Sequence, residues 1–411
     1  MGKNKSKKYK PEMSRNSVKN SESSSPPDEL AAAAVQSNKL NKPYYAGIDI
    51  IKILAAFFVV SIHFFLYSGV YYVPIQSKEY IAPIAMRWLV YTCVPLFMIA
   101  TGYLMKNKKF SGKYYLGLIK IIVIYIVVSI PCMMKDKEVF NKEFTPWTTL
   151  KGFLEFTNAQ YSWYVNFYIA LFLLIPFLNL AFNGLENKKQ HLALVITITT
   201  LTIVARSLYI GFDRETQSRL IPDYLNALWP LAYYYVGAFI REYPIKKKVT
   251  GKLIAFVILV ADMIFLTMST YHQTINNTFD ENPDFHYRFL SYHFNDYGTY
   301  PIFIAAVCIF VLLCDIKTTN KVVKFILRQL GNTTLALYLL SYVFDRKIYP
   351  DFSVKYPDIL DRCKHCFEPI GYVFIHALFW ALIIQNVYDI ILSLIRIASS
   401  KIKKKRIETA S

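Results

Sequence analysis

Three ionisable side chains lie inside the first long apolar stretch, YYAGIDIIKILAAFFVVSIHFF: Asp49, Lys52 and His63. Such groups within a hydrocarbon-length segment are costly and usually face a cavity or a partner. At ~100° per residue, the step from Lys52 to His63 is three turns plus about 20°, so both share one helical face, about 16 Å apart along the axis. Asp49 precedes Lys52 by three residues, in range to pair with it. The imidazole, with an unperturbed pKa near 6.5, can act as a general base. A cation at one end of a stripe and a titratable ring at the other suit a long molecule with an anionic head and a reactive far end. Acyl coenzyme A, with phosphates at one end and a thioester at the other, is such a molecule. The same residues admit a plainer reading, with Lys52 reaching for the interface and His63 hydrogen-bonding a neighbouring helix.

The stripe needs a scaffold, and composition says which. Hydrophobic residues make up 54% of the chain and charged ones 18%, against about 25% charged in soluble domains. The charges gather in islands between long apolar runs, the pattern of an all-α polytopic membrane protein. Ten runs follow in order, at 48–70, 81–105, 114–134, 163–183, 190–210, 224–241, 252–271, 296–315, 328–345 and 369–396. Each approaches the ~20 residues that cross a bilayer. Alternate loops read KNKKFSGK, ENKK, REYPIKKKVTGK, DIKTTNKVVK and the tail KIKKKR, while the others mix signs or are acidic. That bias predicts about ten transmembrane helices with both termini cytoplasmic. Because the Lys and Arg adjoin apolar runs, the net charge of +19 is read as membrane-facing, not as a nucleic-acid surface.

Residues 1–43 are rich in Lys, Ser, Asn and Pro and read as a disordered cytoplasmic tail. Residues 44–397 form the membrane domain, and 398–411 a basic cytoplasmic tail. No signal peptide precedes the first run, which is too long for one. The six cysteines make no disulfide framework. Cys363 and Cys366 form a single CxxC around His365, too little for a zinc site, and no metal is expected.

Several stretches resemble membrane acyltransferase family 3, whose bacterial members O-acylate cell-surface sugars. The family's first span carries a Gly-hydrophobic-Asp start and a basic residue separated by ten others from a His. Here these are Gly47-Ile48-Asp49, Lys52 and His63. VPLFMIATGYLM is similar to its second-span motif, with Thr101 in the usual Ser place. SWYVNFYIALFLLIPFLN matches its fourth-span signature at Trp163, Tyr164, Tyr168 and Pro176, and LGNTTLALYLLS resembles the ninth. The likeness covers roughly 44–397. In the third span, where the family often has arginines, KYYLGLIK supplies Lys113 and Lys120, and Ser341 stands where a second His is common.

The resemblance implies a membrane-bound O-acyltransferase of the cell membrane. It would pass an acyl group, most often acetyl, from cytoplasmic acyl coenzyme A to a hydroxyl of a cell-surface or lipid-linked glycan. His63 would be the base or a transient acyl carrier, with Asp49 beside it in the catalytic set. Lys52, Lys113 and Lys120 would bind the donor. Thr101, Tyr103, Trp163, Tyr168 and the mid-run Asp262 would serve the substrate or the oxyanion. His376 and Arg206 are further titratable groups within runs, and His272, His286 and His293 lie in an acidic loop that could meet a polymer. The rival reading is a transporter or flippase of a glycan intermediate, although paired repeats and midplane helix breaks are not evident.

Overall fold

The computed structural model describes residues 44–72, 77–204, 207, 222–245, 248–276 and 295–408. Expectations for the 1–43 tail, Arg206, His286 and His293 fall outside the described residues. Helices dominate, and no strand occurs among the described residues. In chain order they are α1 (Ala46–Tyr67), α2 (Ile81–Val90), α3 (Cys93–Met105), α4 (Gly117–Phe140), α5 (Pro146–Leu154) and α6 (Trp163–Asn183). There follow α7 (Lys188–Thr199, extended by a π-helical turn Thr200–Val204), α8 (Trp229–Glu242), α9 (Lys248–Asn276), α10 (Tyr300–Leu313), α11 (Lys321–Lys355) and α12 (Phe367–Glu408).

Local sequence sets the boundaries. The Ser68 backbone N–H donates to the Phe64 carbonyl to close α1, and Gly69 at φ +78° turns the chain away. Asn187 and Asn320 accept hydrogen bonds from the first-turn N–H groups of α7 and α11. A Thr145–Thr148 capping box with Pro146 starts α5.

Six segments are long and apolar enough to cross a membrane: Ala46–Tyr67, Lys78–Met105, Gly112–Phe140, Trp163–Asn183, Lys248–His272 and Phe367–Ile402. The other four expected runs are helical too, but they fall short for separate reasons. The 190–210 run ends its α-helix at Thr199, and 224–241 spends its first residues on a 3-10 turn, Asp223–Leu228. The 296–315 run holds a 14-residue helix, and 328–345 lies within the 35-residue α11, which is diluted by polar groups. Of these, α8 and α10 are buried along much of their length, whereas α7 exposes Leu192 and Ile196. The chain is a membrane protein, as its apolar outer faces require. Ile119, Ile122, Ile126, Ile130 and Met134 of α4 form one exposed helical stripe.

At the centre, α1 packs on α11, α3 and α12, and α11 also packs on α12 and α4. The α1 segment, at 56%, and Lys78–Met105, at 67%, are the most buried of the six, against 11% for Phe367–Ile402. Gly102 lets α3 press on α8, since a Cβ there would collide with the Tyr234 carbonyl. One end gathers the start of α1 with the ends of α3, α8 and α10. Arg241 donates to the Tyr103 carbonyl (2.6 Å) and to the Tyr45 hydroxyl, and the Gly47 N–H donates to Ile316. Asn179 donates to the Met105 and Lys108 carbonyls, and Lys252 pairs with Asp315. The four basic loops that the charge pattern grouped therefore meet at one end.

Candidate active site

His63 lies on the last turns of α1, where α11 crosses it. The Tyr349 hydroxyl donates to the Val60 carbonyl (2.8 Å) and fixes the register of the two helices one turn before His63. That register brings Asp345 of α11 to the imidazole, with Nδ1 3.4 Å from Oδ2 but without a hydrogen bond. The carboxylate is fully buried, while the imidazole side chain keeps 15% exposure. Tyr161 completes the group. Its ring stacks on the imidazole, with centroids 3.9 Å apart and planes at 18°, and its hydroxyl donates to Asp345 Oδ2 (2.6 Å). Ser341 adds a weaker contact at 3.4 Å. A buried carboxylate needs such partners, because leaving it bare costs several kcal/mol.

Tyr161 comes from the loop after α5, and that loop is pinned. Asn158 donates to the Thr149 carbonyl, the Tyr125 hydroxyl to Gly152, and the Tyr338 hydroxyl to the Tyr161 carbonyl. Histidine, aspartate and tyrosine thus come from three segments far apart in sequence.

Toward the basic end, a cavity of about 270 Å³ runs beside α1. Its polar lining is Lys52, Thr101, Asn332, Thr334 and the rings of Tyr164, Tyr168 and Tyr338. Lys52 Nζ lies 2.7 Å from Asp49 Oδ1, the pair that the spacing predicted. Gly331 closes over it, and a Cβ at that position would strike the Asp49 carboxylate. Gly331→Ala is therefore expected to lower the melting temperature of the detergent-purified protein, at a cost of about 1–3 kcal/mol from overpacking. Adding Asp49→Ala should recover part of that loss.

The cavity reaches Val59, one turn short of His63, and Tyr338. His63 is not among its lining residues. Tyr338 stacks on Tyr161 with centroids 5.8 Å apart, so a pair of aromatic rings stands between the cavity and the imidazole.

Of the other expected site residues, Thr101 and Tyr168 line the cavity, although the Thr101 hydroxyl donates to the Phe97 carbonyl (2.8 Å). Lys120 sits near Tyr388, within electrostatic reach of Lys52. Lys113 is exposed in the short helix Gly112–Tyr115. Asp49 is paired at the far end of α1 from His63 and does not touch the imidazole. Tyr103 packs edge-on to Tyr45 at the basic end. Trp163 is 45% exposed and stacks with Tyr297, outside the cavity lining. Asp262 is 8% exposed on α9, which packs on α10 and α2 away from this group. His376 bonds its own helix at the Tyr372 carbonyl, and His272 is exposed. The thiols of Cys363 and Cys366 are free, and burial pushes Cys363 up to about 12.

The residues not singled out from the sequence are Asp345, Tyr161 and Tyr338. Asp345 and Tyr338 have one sequence signal, the spacing Tyr338, Ser341, Asp345, Tyr349 along one face of a helix, and Tyr161 has none.

The model of the family described as an acyltransferase domain matches residues 45–385. The chain belongs to membrane acyltransferase family 3. It is accordingly an enzyme that transfers acyl groups, and the matched region contains α1, the cavity, Tyr161 and the α11 stripe. No curated protein and no solved structure gives a match.

Proposed function

We propose that this acyltransferase moves an acyl group, most simply acetyl, from cytoplasmic acyl coenzyme A to a hydroxyl of a cell-surface or lipid-linked glycan. In this reading the chain crosses the cell membrane ten times, with the basic end and both termini in the cytoplasm. The observation that carries it is the order along α1: the Lys52–Asp49 pair, then the cavity, then Tyr338 and Tyr161, then His63 held against a buried carboxylate.

The cavity lies just below the usual 300–1,000 Å³ of small-molecule sites. It therefore takes the acyl end and part of its arm, leaving the nucleotide at the basic mouth, where Lys52 and Lys120 answer its phosphates. Asp345 faces Nδ1, so Nε2 is the free base. Nε2 takes the proton from the acceptor hydroxyl, the oxygen attacks the thioester carbonyl, and the carbon–sulfur bond breaks. The imidazolium then returns the proton to the leaving thiolate. Transient transfer of the acyl group to Nε2 uses the same groups in a different order. In either order the Tyr338 ring must turn aside to join cavity and imidazole, a gating step of the usual kind.

The test is a proteoliposome carrying the full chain, with acetyl-labelled coenzyme A on the side of the basic loops and a glycan extract on the other. Label made covalent on glycan supports the reading. Glycan crossing the membrane unlabelled would mark a transporter instead. Lys52→Ala should raise the KM for acetyl coenzyme A about tenfold with kcat little changed, since losing one charge-assisted contact removes about 1.5 kcal/mol.

A further inference from the structure

The acyl-transfer scheme gives no task to Arg346, the residue after Asp345 on α11. Its guanidinium carbon lies 4.9 Å from the Tyr67 ring centroid and 4.8 Å from that of Phe140. Tyr67 is one turn beyond His63 on α1, with the two ring centroids 6.3 Å apart. The Arg346 Nε is buried without a hydrogen-bond partner, and among the described residues no carboxylate pairs with the guanidinium. The two acids nearby are already engaged. Asp136, 1% exposed, accepts from the Tyr342 hydroxyl and has Lys142 Nζ at 3.7 Å. Asp345, 0% exposed, accepts from Tyr161 and faces His63.

Clamping between two ring faces fixes a guanidinium by cation–π attraction and leaves its in-plane N–H groups unused. Those groups form a planar fork that matches a carboxylate or phosphate. A partly desolvated cation without a counter-ion is costly to hold, and a guest anion would offset that cost. Lys142, with its side chain 45% exposed, adds positive charge on the same side.

We propose that Arg346 is the anion-binding fork of the acceptor subsite, so that the acceptor glycan bears a carboxylate or phosphate beside the hydroxyl that is acylated. The idea rests on the acyl-transfer reading only for calling the occupant an acceptor. Its test is binding without turnover, so the two readings fail separately.

The purified full chain in nanodiscs is titrated with three probes by thermophoresis. These are a glucuronic acid oligomer, a ribitol phosphate oligomer and a neutral glucose oligomer. One anionic probe should bind at least about tenfold tighter than the neutral one, and which of the two does so tells carboxylate from phosphate. Arg346→Gln should abolish that preference, and Arg346→Lys should keep part of it. Equal binding of all three, no binding of any, or an undiminished preference in Arg346→Gln would overturn the proposal. If Arg346→Gln does not fold, the wild-type salt dependence decides. From about 50 to about 500 mM salt, only the anionic probe should weaken, and an anionic affinity that ignores salt would overturn it.

Discussion

His63→Ala is expected to lower acyl transfer from labelled acetyl coenzyme A by about 10²–10⁴-fold, the usual contribution of a general base. The amount of folded protein should stay near that of wild type. The imidazole is partly exposed and its Nδ1 makes no hydrogen bond, so truncation leaves no buried group newly stranded except Asp345, which keeps its hydrogen bond from Tyr161. The loss should fall on kcat and spare the donor KM, because His63 is not in the cavity lining. His63→Gln sharpens the test, since a glutamine fills similar space and still hydrogen-bonds but cannot take a proton at working pH. If both variants retain activity, the base is another group. If the imidazole carries the acyl group, acid-quenched wild type should hold label on the protein and both variants should hold none.

The first helix could be read from its sequence because helical periodicity is local: Asp49, Lys52 and His63 are fixed relative to one another by 1.5 Å and 100° per residue. The Asp49–Lys52 ion pair and the placing of Lys52 in a cavity follow from that. The clustering of basic loops at one end was likewise legible, because each loop carries its own charge. What could not be read depends on register between helices. Asp345 looked like the polar stop of a short ninth span, whereas α11 continues through it to Lys355. Its burial depends on Tyr349 meeting the Val60 carbonyl and on Tyr161 arriving from another loop, and no spacing within one segment encodes either. Asp262 shows the same limit from the other side. A mid-run carboxylate reads as functional from sequence, and only the fold shows that it lies on α9, which packs on α10 and α2. Six clear spans against ten expected has two causes: α10 is apolar but only 14 residues long, and α8 and α11 are packed among neighbours and need not be apolar all round.

Asp345→Asn should cost nearly as much as losing the base, about 10²–10⁴ in kcat, with the KM for acetyl coenzyme A unchanged. The change is isosteric, and the amide oxygen can still accept from the Tyr161 hydroxyl, so folding is spared. What changes is the group offered to Nδ1. A carboxylate favours the tautomer with hydrogen on Nδ1 and lone pair on Nε2, and it stabilises the imidazolium that forms when Nε2 takes a proton. An amide N–H turned toward Nδ1 favours the reverse tautomer, whose Nε2 is already protonated and cannot act as a base. Asp345 touches neither substrate in this scheme, so it positions rather than catalyses, and its effect must pass through His63. The double variant His63→Ala/Asp345→Asn should therefore be no slower than His63→Ala alone. Additive losses would separate the carboxylate from the imidazole and leave it as the buried partner that ties α11 to Tyr161.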